Sequence, residues 1–187
     1  MRVIAGKFKG RQLKSPSWEG LRPTSDRLRE TVFNILAPRV AGARVLDGYA
    51  GTGALGIEAL SRGARAVTFV ERDRRAQALI AENLARCGIA EGYVIIRAGI
   101  TPALDTLGGR PAPELFDIVL LDPPYALASP DAFESVVSGA GRVLAPTGVL
   151  VFEHPRRSRA PATAGPLILS RTVVSGDSAL SFYMPRS

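Results

Sequence analysis

Apolar and polar positions alternate along this chain in blocks. Short apolar runs at 44–47, 65–71, 93–97, 116–122 and 148–153 have strand length. Between them the apolar positions recur at helical spacing. Leu28, Val32, Ile35 and Leu36 form one stripe behind Ser25, a good N-cap, with Arg27, Arg29 and Glu30 off it and Pro38 as the expected stop. A second helix is expected over 54–62, ending at Gly63. A third carries Ala76, Leu79, Ile80, Leu84 and Cys87 between Asp73 and Gly88, which makes Cys87 a small core residue. Thr101-Pro102 opens a short helix, and Ser129-Pro130 opens another that reaches about Val143. The run Ile118-Val119-Leu120-Leu121 is continuous, as a strand buried on both faces requires. Segments 167–174 and 179–184 alternate instead around Ser175-Gly176-Asp177, the pattern of a hairpin.

Strand–helix alternation followed by a hairpin predicts an α/β fold. Its sheet is open, twisted and mostly parallel, with helices on both faces and an antiparallel C-terminal strand. Asp47, Glu71 and Asp122 then fall along one carboxyl edge, where such sheets bind ligands. Ahead of this alternation, residues 2–14 vary loosely around Gly6 and Gly10 and predict a glycine-bent β-hairpin. The expected division is an N-terminal arm and loop over 1–22 and a main domain over 23–187.

The first candidate site is the turn after the first strand. Gly51-x-Gly53-x-x-Gly56 has the spacing of a nucleotide-binding turn, with a helix opening at its end. Glu71 closes the second strand twenty residues after Gly51, where an acid can accept both hydroxyls of a ribose.

Composition narrows the class. With 187 residues, 46% hydrophobic content and a mean hydropathy of +0.11, the chain suits one globular domain rather than a disordered one. No apolar run is long enough to span a bilayer, and Met1–Lys7 lacks the apolar core of a signal peptide. One cysteine allows no internal disulfide, so a cytosolic protein is the expectation. His154 has no second histidine or cysteine nearby, which argues against a metal site. The net charge of +7 favours a polyanionic partner. Arg2, Lys7, Lys9, Arg11 and Lys14 crowd the first fourteen residues with no acid among them, making the arm a candidate phosphate grip or an edge hairpin kept soluble by lysine. Trp18, in the following loop, reads as a packing anchor, and Arg156–Arg159 as a second basic loop.

Asp122-Pro123-Pro124-Tyr125 ends the fourth strand. The proline pair donates no hydrogen bond and fixes an extended path, so the Pro123 carbonyl stands beside the Asp122 carboxylate. Tyr125 adds an aromatic face. Two acceptors and a ring suit a planar base bearing an amino group.

These motifs resemble those of the S-adenosylmethionine-dependent amino-methyltransferases: Asp47-x-Tyr49-x-Gly51-Thr52-Gly53 and Asp122-Pro123-Pro124-Tyr125. Five further stretches, 2–6, 10–13, 21–34, 53–64 and 176–183, narrow the resemblance to the bacterial 16S ribosomal RNA guanine-N2 methyltransferases, which modify guanine 966 of the small-subunit RNA. The segment Arg22-Pro23-Thr24-x-Asp26-Arg27-x-Arg29-Glu30 is the most restrictive of them. The resemblance implies the seven-stranded class I (Rossmann-like) methyltransferase sheet and S-adenosyl-L-methionine as cofactor. It places Asp47, Tyr49, Gly51, Thr52, Gly53, Glu71 and Arg72 around that cofactor, with Thr24 and Arg27 bordering it. It assigns Asp122, Pro123 and Tyr125 to the target base. The implied partner is 16S ribosomal RNA, either free or within a 30S particle or assembly intermediate. Two departures stand out: Gly48 replaces a bulkier apolar residue, and Ala98-Gly99-Ile100 stands where related enzymes often carry an acid for the adenine amino group.

The expected reaction is methyl transfer to the exocyclic N2 of a guanine, with the base unpaired to enter. A DNA adenine-N6 or cytosine-N4 methyltransferase shares the same chemistry, though the chain leaves no room for a separate target-recognition domain. A nucleotide-binding dehydrogenase or non-catalytic binder shares the sheet but has no evident use for the acid-proline-proline-tyrosine motif.

Overall fold

A computed structural model describes residues 1–18, 25–109, 111, 114–124 and 130–186. Thr24 and Tyr125 fall outside the described residues, as do Arg22 and Pro23.

The elements follow the predicted alternation: α1 (Asp26–Val40), β1 (Arg44–Gly48), α2 (Ala54–Ser61), β2 (Ala66–Val70), α3 (Arg74–Cys87), β3 (Tyr93–Ile96), α4 (Ile100–Leu107), β4 (Phe116–Leu121), α5 (Pro130–Gly141), β5 (Leu144–Pro155), β6 (Thr163–Ala164), β7 (Leu167–Ser175) and β8 (Ser178–Pro185). One sheet takes them in the order β3-β2-β1-β4-β5-β8-β7-β6. The pairs from β3 through β5 are parallel, and β8 joins β5 antiparallel. The sheet therefore has eight strands where seven were expected. The extra strand is two residues long, folded back on β7 through Gly165 at φ +52°, and two residues carry no readable alternation. β5 also starts earlier than predicted. Leu144 pairs with Phe116, and a register shift carries the chain to the pair Val149–Ile118.

The sheet separates two apolar layers. One side packs α1, α2 and α3, with Phe33, Ile57 and Phe69 fully enclosed. The other packs α4 and α5 against Leu46, Val119 and Tyr183. The first layer also takes in Val3 and Leu13, so the N-terminal segment shares the main core.

Two helical details depart from the pattern. Ser25 caps α1 as expected, accepting from the Leu28 amide, but the helix runs through Pro38 to Val40. A proline so near the end forfeits little of the helical ladder, and the burial of Leu36 and Val40 holds the last turn in place. Arg29, placed off the apolar stripe, is fully buried. Its Nη2 donates to the Arg2 carbonyl and to Asp26 Oδ1, each at 2.7 Å, so the inward guanidinium ties α1 to the N-terminal segment.

Candidate active site

A cleft of about 790 Å³ opens along the carboxyl edge of the sheet. That volume suits a nucleoside-sized ligand together with part of a second one. Strand order arranges four acids along this edge: Glu71 after β2, Asp47 in β1, Asp122 after β4 and Glu153 in β5.

The glycine turn builds the first half. Gly53 sits at φ +76° as the N-cap of α2 without any side-chain cap, a conformation that costs glycine little. At Gly56 a Cβ would stand 2.2 Å from the Phe69 ring, so its absence lets α2 press onto β2. Behind the turn, Asp47 is 1% exposed and its Oδ2 accepts from the Gly56 amide at 2.8 Å. Neither Asp47 nor Gly53 lines the cleft wall. Asp47 holds the turn from beneath through Gly56, and Gly53 shapes it. Gly48 lies beneath Leu121 and Ile100, whose side chains occupy the space a Cβ would need.

Glu71 does reach the cleft. Its Oε2 accepts from the Gly51 amide at 2.9 Å and its Oε1 from the Asp73 amide at 2.8 Å. Each carboxylate oxygen has a further lone pair, so the acid is fixed in orientation and can still accept from a diol. Tyr49, Gly51, Thr52 and Arg72 line the same half. Tyr49 holds φ at +66°, the one positive φ among described non-glycine residues, in a conformation that costs about 1–3 kcal/mol and tends to mark functional sites. Burial pushes its hydroxyl pKa up, and the charge of Arg72 opposes the rise. Ala98, Gly99 and Ile100 line the wall as well, so backbone and small apolar groups stand where an acid was missing. Arg27 is exposed on α1 and does not line the cleft. Trp18, read from the sequence as a packing anchor, does line it, stacked 5.0 Å from the Arg75 guanidinium.

The second half is lined by Asp122, Pro123 and Pro124, by Phe133 and Val136 of α5, and by Phe152, Glu153 and Ser178. Asp122 is half-buried and Pro123 buried. Phe133 and Phe152 meet edge to face with centroids 4.4 Å apart. Glu153 was not singled out in the sequence, although an acid directly after the apolar run 149–152 is the same signal that marks Glu71 and Asp122.

The N-terminal segment doubles back on itself, with one antiparallel bridge between Arg2 and Gln12. It lies ahead of the strand–helix alternation in sequence, and the structure fastens it to α2 and α3. The Glu58 carboxylate, fully buried on α2, accepts from the Ile4 and Ala5 amides at 2.8 and 3.0 Å and from Arg62 Nε at 2.7 Å. Asn83, fully buried on α3, exchanges hydrogen bonds with the Lys14 backbone and donates to the Thr52 carbonyl at 2.9 Å. One amide thus joins the arm to the glycine turn. Its sequence signal was a polar residue on the apolar stripe of α3, three positions after Ile80. Among the five basic residues, the Lys14 ammonium pairs with Glu82 at 2.8 Å and Arg11 Nη1 donates to the Arg86 carbonyl. Lys7, Lys9 and Arg2 are also exposed.

Burial pushes the Asp47 carboxyl well above the usual carboxylate range, helped by the charges of Asp122 and Glu71 and opposed by the Gly56 amide. A carboxyl raised in the folded state favours folding most below the unfolded value of about 4 and loses that contribution as pH rises through its folded value. Asp47→Asn should therefore gain stability relative to the parent as pH rises from acid to neutral. Thermal melts of both proteins, taken without cofactor from pH 4 to 8, check this. A difference in melting temperature that stays constant across the series would mean that Asp47 carries no such penalty.

Comparison with known proteins is consistent with this geometry. The family described as Conserved hypothetical protein 95 matches residues 1–184. Ribosomal RNA small subunit methyltransferase D of Escherichia coli K12 is 35% identical over 183 residues, which cover 98% of this chain and 89% of that one. The chain belongs to the family of ribosomal RNA small subunit methyltransferase D. The methyltransferase D of Haemophilus influenzae is 43% identical over 127 residues, 67% of this chain and 64% of that one. A solved structure of a hypothetical protein from Thermus thermophilus superimposes with a TM-score of 0.81 at 30% identity, covering 97% of this chain and 98% of that one. Membership of the methyltransferase D family makes the fold a class I methyltransferase fold and S-adenosylmethionine the cofactor.

Proposed function

We propose that this chain methylates the exocyclic N2 of a guanine in small-subunit ribosomal RNA. S-adenosylmethionine-dependent methylation of ribosomal RNA follows from its family. The choice of an exocyclic amino group rests on one observation: Asp122, Pro123 and Phe133 line one cleft with Glu71 and the glycine turn. The choice of guanine N2 among such groups rests on the resemblance carried by the segment 22–30. Glu71 would hold the ribose hydroxyls, and the turn through Gly51 and Thr52 the amino-acid part. Asp47 and Gly53 act through the turn that they support. Arg72 and Tyr49 flank the nucleoside. Thr24, Arg27 and Tyr125 keep the roles that the family resemblance gives them, at the cofactor border and against the base.

When bound, S-adenosylmethionine supplies an electrophilic methyl group. The chain's part is positioning. A guanine amino lone pair is delocalised into the ring and is a poor nucleophile. Asp122 and the Pro123 carbonyl accept its two hydrogens and draw the nitrogen toward tetrahedral geometry, aiming the lone pair into the cofactor half of the cleft. Asp122 then takes the proton that alkylation makes acidic. Holding the reactants in a near-attack arrangement is worth up to roughly 7–11 kcal/mol in favourable systems.

The test incubates the protein with tritiated S-adenosylmethionine and undermethylated small-subunit particles or free 16S RNA, then maps the label by nuclease digestion. N2-methylguanosine at one nucleotide is expected. Label on adenine N6 or cytosine N4, or label only in a parallel incubation with DNA, would overturn the reading. The two RNA forms decide between free RNA and a 30S particle or assembly intermediate as substrate.

The RNA grip assigned to Arg2, Lys7, Lys9, Arg11 and Lys14 belongs to the same proposal. Lys7→Glu with Lys9→Glu should weaken RNA binding and flatten its salt dependence by about 1–2 units of log affinity per log salt. Cofactor affinity, measured by calorimetry, should stay at the parent value. A double variant with the parent's RNA affinity and salt slope would remove the arm from the RNA interface.

A further inference from the structure

Guanine presents three N–H donors on its pairing edge: two on N2 and one on N1. Methyl transfer to N2 occupies Asp122 and the Pro123 carbonyl with the first two. Once the base leaves water for the cleft, the N1–H also needs an acceptor, because a buried donor left unmet is costly. Adenine and 2-aminopurine carry no hydrogen at N1, so an acceptor placed there would also discriminate between bases.

Glu153 is the acid beside Asp122 in the fold. β4 and β5 are parallel neighbours with Leu121 opposite Phe152, so Asp122 and Glu153 are the next positions on adjacent strands. Such strands lie ~4.8 Å apart. Both acids line the substrate half of the cleft. Glu153 is 9% exposed, and its Oε1 accepts from the Ser178 hydroxyl at 2.8 Å. That hydroxyl, on the first residue of β8, fixes the orientation of the carboxylate. The bond is not needed to hold β5 to β8, since the two strands pair in continuous register from Leu150 to Pro155. Placing a carboxylate at such depth is costly, and the methyl-transfer step leaves this one unassigned.

We propose that Glu153, oriented by Ser178, accepts the N1–H of the target base and so selects guanine. The assignment rests on the guanine-N2 reading above.

The experiment compares single-turnover methylation of small-subunit particles reconstituted from ligated RNA. The nucleotide mapped with tritium carries either guanine or 2-aminopurine, which keeps the amino group and lacks the N1 hydrogen. The parent should prefer guanine by roughly 10²-fold or more, since a site built to accept a donor rejects the analogue lacking it. Glu153→Gln, whose amide can donate to an unprotonated N1, should cut that preference at least tenfold. Ser178→Ala should narrow it less, and serves alone should Glu153→Gln fail to fold. A purely structural role would slow both substrates equally. An unchanged ratio in a folded Glu153→Gln, or in Ser178→Ala where that variant stands alone, overturns the assignment of Glu153 while leaving guanine-N2 transfer intact. A parent enzyme that labels no guanine N2 overturns the underlying reading instead.

Discussion

Asp122→Ala is expected to lower methyl transfer by roughly 10²–10⁴-fold, the range for losing a positioned proton acceptor. S-adenosylmethionine affinity should barely change. The reason is spatial. Asp122 follows β4, while Glu71 and the turn through Gly51 and Thr52 lie over β1 and β2. The variant removes the contact proposed for the target nitrogen, and the hydrogen bonds that join Gly51 to Glu71 and Gly56 to Asp47 run between other residues. Asp122→Asn should recover part of the loss, because its carbonyl oxygen still accepts one hydrogen but cannot take the final proton. Single-turnover rates and calorimetry on the same preparations separate the two quantities. If cofactor binding collapses while turnover per bound enzyme stays normal, Asp122 serves the cofactor and not the base.

A comparably large effect on stability is expected from Glu58→Ala. Removing this carboxylate strands the Ile4 and Ala5 amides and the Arg62 guanidinium at once. Each stranded group costs about 1–3 kcal/mol, so a loss of about 3 kcal/mol or more is expected. For a chain of this size that lowers the melting temperature by roughly 6–12 °C. The loss should spread. The arm that Glu58 fastens also meets the glycine turn through Asn83, so cofactor affinity should fall together with stability. Deleting residues 1–14 should do the same, and for that reason charge reversal at Lys7 and Lys9 is the cleaner probe of RNA contact. Glu58→Gln keeps one acceptor oxygen and should lie between parent and alanine. An alanine variant that melts with the parent would show that the arm is held by Val3 and Leu13 in the core and owes nothing to this carboxylate.

The sequence by itself determined the strand–helix alternation, the parallel centre of the sheet and the hairpin at its end. It also put the glycine turn, Glu71 and the acid-proline-proline motif on one edge. These features are local: a strand length, a cap, a turn or a run of apolar residues is written into neighbouring positions. Tertiary structure decided what depends on partners distant in sequence. Arg29 looked solvent-facing until the Arg2 carbonyl came within its reach. Glu58 on α2 and Asn83 on the apolar stripe of α3 are buried polar residues, and the approach of residues 4, 5 and 14 supplies most of their partners. Asp47 belonged to the cofactor motif in sequence, yet packing of α2 onto β2 drew its carboxylate beneath the loop to hold Gly56. Glu153 gained its place beside Asp122 only through the register of β4 and β5, because pairing between strands about thirty residues apart is fixed by the whole sheet and by no stretch of either strand.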